Sequence, residues 1–451
     1  MTTLAKINNL PRKTPRILLA PLDWGLGHAT RCIPIIKELL NQKCEIWIAA
    51  SGDQKALLKE EFPFIRFVEL PGYDIKYGKN RALTLLKIFS SIPKILIRIK
   101  WEKDWLKQFL ATEKPDAVIS DNRYGLYAPG LYSVFITHQL RIKTPFGPWA
   151  DTFLQRIHYR AIRRFSLCWI PDLEEAHSLA GDLSHPGKLP SIPTRYIGLL
   201  SRFERPALSG PNKDQPGSGP DNTWPHYDAD GGLSGPDQGQ PGPGKILPHY
   251  DAEGGPCDLL VLLSGPEPQR TIFEGKILEQ LSSYSGSTIL VRGLPGSGTA
   301  PMPPEELPAG VRVYNHLPAS VLNAVINAAG IVLSRAGYST IMDLLKLGKK
   351  AILVPTPGQT EQEYLGNYLS GKGIALCREQ PTFSLSEALS SASDFPFAGI
   401  GLAGGIPPTG QSPAVGFPAG DDLLQNALRS FLAALADSPP LATPSRDPFI
   451  P

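Results

Sequence analysis

The sequence predicts an α/β protein built from two Rossmann-like domains with Pro/Gly-rich inserts. Three observations carry this. Residues 16–50 read as strand, glycine turn, helix and strand. Residues 331–369 repeat that pattern and add a polar loop and a second helix. Between them, residues 206–256 shift abruptly to Gly, Pro, Asp and Ser, too little apolar content to offset the entropy of ordering.

Composition bounds the function classes. The 451 residues suffice for two or three domains. A net charge of +3 leaves no footprint of a nucleic-acid binder. The cysteines (Cys32, Cys44, Cys168, Cys257, Cys377) are scattered and odd in number, which fits free thiols rather than a disulfide framework or a zinc site. The first sixteen residues lack an apolar core, and no apolar run reaches the roughly 18–20 residues that span a bilayer. The expected location is cytoplasmic, or peripheral on the cytoplasmic face of the inner membrane.

Taken in order, Arg16–Pro21 is a buried-strand pattern, Asp23–His28 a turn, Ala29–Leu40 a helix and Glu45–Ala50 a strand. The turn lacks a complete GxGxxG and Asp53 is a poor ribose partner, so a dinucleotide site is weakly supported. His28 at a helix N-terminus would be held neutral, fit to act as a base, to bond a diphosphate or simply to cap the helix. Residues 76–107 mix Lys76, Lys79, Arg81, Lys87, Lys94, Arg98, Lys100, Lys103 and Lys107 with Leu, Ile, Phe89, Trp101 and Trp105. This suits an anionic membrane surface or a helix pair, split at Pro93, with solvated lysines. Ala117–Ser120 and Ser133–Thr137 are strands whose carboxyl ends carry Asp121 and His138, where doubly wound sheets build clefts. Either is chemically fit to be a general base or a structural hydrogen-bonder. Arg156, Arg160, Arg163 and Arg164 read as a solvated helix face.

The insert at 206–256 carries a near-repeat, at 225–232 and 248–255. Its His226, Asp228, Asp230, His249, Asp251 and Glu253 could hold a metal only weakly, and a solvated loop is the simpler reading. The second domain is expected over 257–393, followed by a Pro/Gly-rich insert at 394–420 and a helix at 421–437.

Within the second domain, Ile331–Leu333 is a strand. Ser334–Gly337 turns, and Ser339-Thr340 opens a helix with Ile341, Leu344, Leu345 and Leu347 on one face, ended by Gly348. Such a helix N-terminus suits a phosphate. Asp343, one turn in, could reach a ribose diol, and the loop Gln359–Glu363 offers groups for sugar hydroxyls. The spacing alone fits either a nucleotide-sugar site or an ordinary βαβ unit with a polar loop.

Arg335-Ala336-Gly337, the acidic Asp343, and the loop from Pro355 to Gln362-Glu363 together resemble the donor region of GT-B glycosyltransferases. The likeness is to the family 28 group containing the bacterial peptidoglycan UDP-GlcNAc transferase and the plant galactolipid synthases. It covers roughly residues 15–205 and 257–380. The resemblance implies two domains, 15–205 and 257–393, facing a cleft. It implies that Asp343 binds the ribose, that Gln359, Gln362 and Glu363 serve the donor sugar, and that Arg335, Gly337, Ser339 and Thr340 lie around the phosphates. Ser264, Gly265 and Arg270 would face the diphosphate with Arg292, and the loop at Asn315 and His316 would read a uracil edge. The implied reaction moves GlcNAc or another hexose from a UDP-sugar to a hydroxyl, with inversion and with no metal or further cofactor. His28, Asp121 or His138 would be the base. The acceptor would be a lipid or lipid-linked glycan reached through the membrane-facing patch at 76–107. Asp343 is shorter than the family's usual Glu, and Glu363 replaces an amide. A UDP-sugar 2-epimerase or a non-catalytic nucleotide-sugar binder are the alternatives.

Overall fold

The computed structural model describes residues 14–73, 90–174, 177–205, 257–295, 307–398 and 421–436, with isolated positions between 78 and 87 and at 226–227 and 233–234. The remainder of both inserts, including Asp228, Asp230, His249, Asp251 and Glu253, lies outside the described residues. Within the first insert His226–Tyr227 (β8) pairs antiparallel with Leu233–Ser234 (β9).

The first domain carries β1 (Arg16–Pro21), α1 (Leu26–Asn41), β2 (Glu45–Ala50), α2 (Gly52–Glu61), β3 (Arg66–Glu69), α3 (Ile92–Thr112), β4 (Ala117–Asp121), β5 (Tyr132–Ile136), α4 (Pro148–Ile162), β6 (Leu167–Ile170) and β7 (Thr194–Tyr196). Its strands form one parallel sheet in the order β3-β2-β1-β4-β5-β6-β7. Runs such as RILLAP and EIWIAA are buried almost throughout, as parallel strands covered on both faces must be.

The second domain carries β10 (Leu259–Leu262), α5 (Gln269–Leu281), β11 (Thr288–Val291), β12 (Val311–Tyr314), α6 (Ala319–Ala328), β13 (Ile331–Ser334), α7 (Tyr338–Leu347), β14 (Ala351–Leu353), α8 (Thr360–Gly371), β15 (Leu376–Cys377) and α9 (Leu385–Asp394). Its parallel sheet runs β12-β11-β10-β13-β14-β15. Both sheets therefore reverse strand order beside their first strand, between β1 and β4 and between β10 and β13. Such switch points open a crevice at the strands' carboxyl ends.

Apolar side chains of α1 (Ile33, Ile36) and of α7 (Ile341, Met342) belong to one continuous core that joins the two domains. The last helix, α10 (Asp421–Ala436), packs back on the first sheet. There Phe431 meets Trp169 and Tyr132 edge-on, each with 5.6 Å between ring centroids.

Residues 76–107 keep one expectation and change another. Pro93 lies in the first turn of α3, where a proline gives up no hydrogen bond, and helical positions at Ala82, Leu83, Lys87 and Ser90 precede it across a turn at Ser91. Trp101 and Trp105 turn inward against Leu106, Phe109 and Leu126, so the exposed apolar residues of this helix are Ile92, Leu96 and Ile97. A buried polar knot anchors α3. Glu102 accepts from Arg123 Nη1 at 3.0 Å, from the Tyr73 hydroxyl at 2.9 Å and from the Gly125 amide at 2.9 Å. Arg123 Nε also donates to the Pro21 carbonyl at 2.7 Å, tying the helix to the end of β1.

Candidate active site

The helix after β1 begins at Leu26, earlier than its apolar pattern indicates, so His28 sits inside the first turn of α1. One turn on is Arg31, only 2% exposed. Three residues along a helix bring side chains to the same face. Opposite them, the parallel register sets Asp121, the last residue of β4, beside Pro21.

These groups form one bonded chain. His28 Nδ1 lies 2.9 Å from Asp121 Oδ2. Arg31 Nε donates to the same oxygen at 2.9 Å, and Arg31 Nη2 donates to Asp121 Oδ1. Arg31 Nη1 lies 3.1 Å from His138 Nδ1. His138 Nε2 then reaches Glu361 Oε1 of the second domain at 2.6 Å. The Tyr338 ring stacks on His138 at 4.1 Å between centroids, and its hydroxyl donates to the Pro171 carbonyl at 2.8 Å.

Donor and acceptor rules assign the protons. A guanidinium only donates, so His138 Nδ1 accepts from Arg31 and His138 Nε2–H donates to Glu361. Both ring nitrogens are then engaged, and His138 is not a free base. Burial would raise the Asp121 carboxyl, but Arg31 and then His28 more than offset this and bring it to about 2. Asp121 is thus a fixed anion and not a base near neutral pH. His28 Nδ1 lies between that anion and Arg31 Nη2, which is 2.9 Å away. Nδ1 can accept from Arg31 Nη2, as His138 Nδ1 accepts from Nη1, or donate to Asp121; the tautomer that suits a base carries its Nδ1 proton in the Asp121 bond. That leaves the Nε2 lone pair of His28 for a substrate. Burial, followed by the Arg31 charge, lowers the His28 pKa below 6.5, so the ring is neutral and basic at physiological pH. Of the three candidate bases, the geometry retains His28.

The two switch points touch. Ser339 Oγ donates to the Gly27 carbonyl at 2.7 Å, and a Cβ on Gly27 would come within 2.9 Å of that oxygen. Glycine is what permits this approach. Thr360 Oγ1 donates to the Lys143 carbonyl at 2.8 Å. Gly337 is the N-cap of α7, with Ser339 and Thr340 in its first turn. Gly265, at φ +97, lies with Ser264 in the turn after β10.

Several residues expected around the donor have other duties. Arg335 is buried and donates to the Gln269 carbonyl at 2.8 Å, to Gln380 Oε1 at 2.6 Å and to the Val354 carbonyl at 3.3 Å. It braces the turn rather than facing a phosphate. Arg270 pairs with Glu267 at 2.6 Å and also with Glu274, so its charge is already matched. Arg292 lies 2.7 Å from Glu274 and donates to Asn315 Oδ1 at 2.8 Å. The Asn315 carbonyl accepts from Leu294, and His316 reaches Glu60 of the first domain at 3.4 Å. Asp343 accepts from Ser201 Oγ at 2.6 Å; burial raises its carboxyl to about 6 although Arg202 opposes this. Gln359 caps α8. Gln362 Oε1 accepts from the Thr356 amide at 2.9 Å and Glu363 Oε1 from the Gly358 amide at 3.0 Å. Both brace their own loop instead of pointing across the cleft.

Two residues that the sequence did not single out are central here, Arg31 and, within the expected polar loop, Glu361. The helical spacing from His28 to Arg31 was the available signal for the first. For the second, nothing in a loop with three carboxamides or carboxylates in sequence distinguishes the side chain that crosses the gap.

Residues 314–394 match the Glycosyltransferase family 28 C-terminal domain. A UDP-N-acetylglucosamine--N-acetylmuramyl-(pentapeptide) pyrophosphoryl-undecaprenol N-acetylglucosamine transferase of Methylobacterium radiotolerans is 42% identical over 65 residues. That match spans 14% of this chain and 18% of the relative's length. Among solved structures, the glycotransferase of kitacinnamycin superposes with a TM-score of 0.53 at 14% identity, covering 94% of this chain and 96% of that one. A spinosyn rhamnosyltransferase complexed with thymidine diphosphate gives a TM-score of 0.50 at 13% identity, covering 93% and 100%. The architecture is the GT-B fold.

Proposed function

From a GT-B frame with a family 28 C-terminal domain, we propose that this chain is a glycosyltransferase. It moves a hexose, with GlcNAc one candidate, from a UDP-sugar to a hydroxyl acceptor with inversion. The carrying observation is the His28–Asp121 pair at one switch point, in contact through Gly27 and Ser339 with the other. His28 Nε2 takes the acceptor hydroxyl proton. The acceptor oxygen bonds the anomeric carbon as the bond from that carbon to the diphosphate oxygen breaks, and UDP leaves. Asp121 holds the ring and stabilises the imidazolium that forms. The N-terminus of α7 and the Ser264–Gly265 turn supply N–H groups and a positive dipole end for the leaving diphosphate, without a required metal. Asp343 takes the ribose hydroxyls once Ser201 yields its bond.

The acceptor side favours a lipid or lipid-linked glycan at an anionic membrane face. Along α4, Trp149 is 73% exposed and Phe153 56%, with Ile157 and the preceding Phe146 also exposed. Exposed Arg156, Arg160, Arg163 and Arg164 accompany them. Lys103 of α3 and Arg164 both stack on Tyr127, which brings α3 beside the end of α4. Among the described residues no helix is long and apolar enough to cross a membrane. The arrangement therefore fits attachment at the interface.

The experiment is incubation with UDP-hexoses, with and without a panel of hydroxyl and lipid-linked acceptors, following UDP release and the anomer formed. Acceptor-dependent release with inversion supports the reading. Isomerisation of UDP-GlcNAc without acceptor would replace it with a 2-epimerase, and binding without turnover over a broad panel would leave a nucleotide-sugar binder.

A further inference from the structure

His138 has no free nitrogen for catalysis, yet groups from both domains hold it. Its Nε2–H donates to Glu361 of α8 at 2.6 Å, and Tyr338 of α7 stacks on its ring. Both of these partners belong to the second domain and His138 to the first, so the ring is clamped only while the domains lie together. Glu361 stays an anion for this bond. Burial would favour the neutral acid, but the His138 contact more than offsets this and lowers the Glu361 pKa. With the proton on Nε2, His138 Nδ1 accepts from Arg31 Nη1 at 3.1 Å. The other tautomer would turn an N–H toward the guanidinium and lose that bond. The remaining nitrogens of Arg31 grip Asp121: Nε donates to Oδ2 at 2.9 Å, and Nη2 donates to Oδ1. Such a fork fixes the plane of a carboxylate, and Oδ2 is the oxygen beside His28 Nδ1.

We propose that Arg31 is a positioning residue that couples the base to closure of the second domain, fixing Asp121 against His28 while it is itself fixed, through His138, by Glu361. This rests on the transferase reading and adds to it the device that readies the base only when the domains have closed. At 2% exposure Arg31 touches no substrate, so its part is played through Asp121 and His138. The planar guanidinium reaches both at once; the single ammonium of a lysine would keep the charge and lose that geometry. When the domains part, Glu361 and Tyr338 leave His138, its tautomer is no longer set, and Arg31 loses one of its three holds. A base readied only after closure meets the acceptor and not bulk water, which protects the donor from hydrolysis.

The test follows the ring nitrogens of His28 and His138 by NMR in the full chain carrying isotope-labelled histidine, so neither donor nor acceptor need be known. The wild type should show His138 protonated at Nε2 alone. Glu361→Ala should mix the His138 tautomers and shift the His28 ring signals. In an Arg31→Lys background the same change should no longer shift His28. A shift of equal size in both backgrounds would mean that Glu361 acts on His28 without Arg31, and no shift in either would mean that the chain carries nothing; both results overturn the proposal. With 32% of its side chain exposed, Glu361 is replaceable without unfolding, so an unmoved His28 in that single variant suffices for rejection even where Arg31→Lys fails to fold. Turnover gives the second readout. At saturating UDP-sugar and acceptor each single variant should lower kcat by roughly 10- to 100-fold with the affinity for UDP unchanged, and the double variant should fall no further than Arg31→Lys alone. Losses that multiply would again overturn it. If the wild type transfers no sugar, the transferase reading fails, while the histidine spectra still decide the coupling.

Discussion

Asp121 is held from two sides, by His28 Nδ1 at 2.9 Å and by Arg31 Nε at 2.9 Å on the same oxygen. The carboxylate thus has a structural and a chemical duty at once. It neutralises a buried guanidinium, and it accepts from the Nδ1–H of His28 in the tautomer that suits a base.

The two duties separate in Asp121→Asn. The side chain keeps its size but no longer balances Arg31, and removing one partner of a buried ion pair costs about 3–5 kcal/mol. Transfer should fall by about 10²–10⁴-fold, because the imidazolium loses its stabilising anion. The acid limb of the wild-type rate profile should lie below pH 6.5, since burial and Arg31 lower the His28 pKa. Steady-state rates from pH 5 to 8 check both points; a limb above 7 would contradict the assignment.

Asp343 should make the protein lose stability as pH rises from about 4 through 6. Its folded carboxyl is raised by burial from 3.8 to about 6. Between those values the folded chain keeps a proton that the unfolded chain releases. Its stabilising contribution is therefore full below about pH 4 and is lost as pH rises through 6. Asp343→Asn should remove that dependence and be more stable than wild type at pH 7.5 by up to about 3 kcal/mol, relative to the same comparison at pH 4. Urea unfolding at the two pH values reads the difference, and a variant-minus-wild-type gap that does not change with pH would refute it.

Gly27→Ala should destabilise by about 1–3 kcal/mol, as overpacking does, because the new methyl meets Ser339 Oγ at 2.9 Å. Adding Ser339→Ala removes that oxygen and should recover part of the loss. A double-mutant cycle measures the coupling; strict additivity would mean that the two turns do not touch in solution.

Trp149→Ser with Phe153→Ser should leave the melting temperature near wild type, since both side chains are largely exposed, while reducing sedimentation with anionic vesicles at least tenfold. Equal binding of the double variant and wild type would move the membrane face elsewhere.

The strands and most helices were legible because each is a local pattern. RILLAP and AILVP are apolar runs that a proline ends, and AVIS is one that stops at Asp121. The order of the strands was not, since it depends on pairings such as Leu19 with Ile119, a hundred residues apart. The same division runs through the site. His28, Asp121 and His138 stood at strand ends or a helix start, and the structure brings them together. Arg335 and Arg270 had the right charge, but their partners Gln380 and Glu274 decide which way the guanidinium points, and residue type does not reveal that. Arg31 escaped notice inside a helix pattern. Only the fold turns Glu361 toward His138 and its neighbours Gln362 and Glu363 away.

The most direct measurement is the transfer rate of His28→Asn against wild type at saturating UDP-sugar and acceptor. Asparagine can still donate to Asp121 but has no basic nitrogen. The account predicts a kcat lower by about 10²–10⁴-fold, unchanged UDP affinity, and no recovery as pH is raised to 8. A variant that keeps its kcat within a few-fold of wild type would show that His28 is not the base, and the central claim would fall.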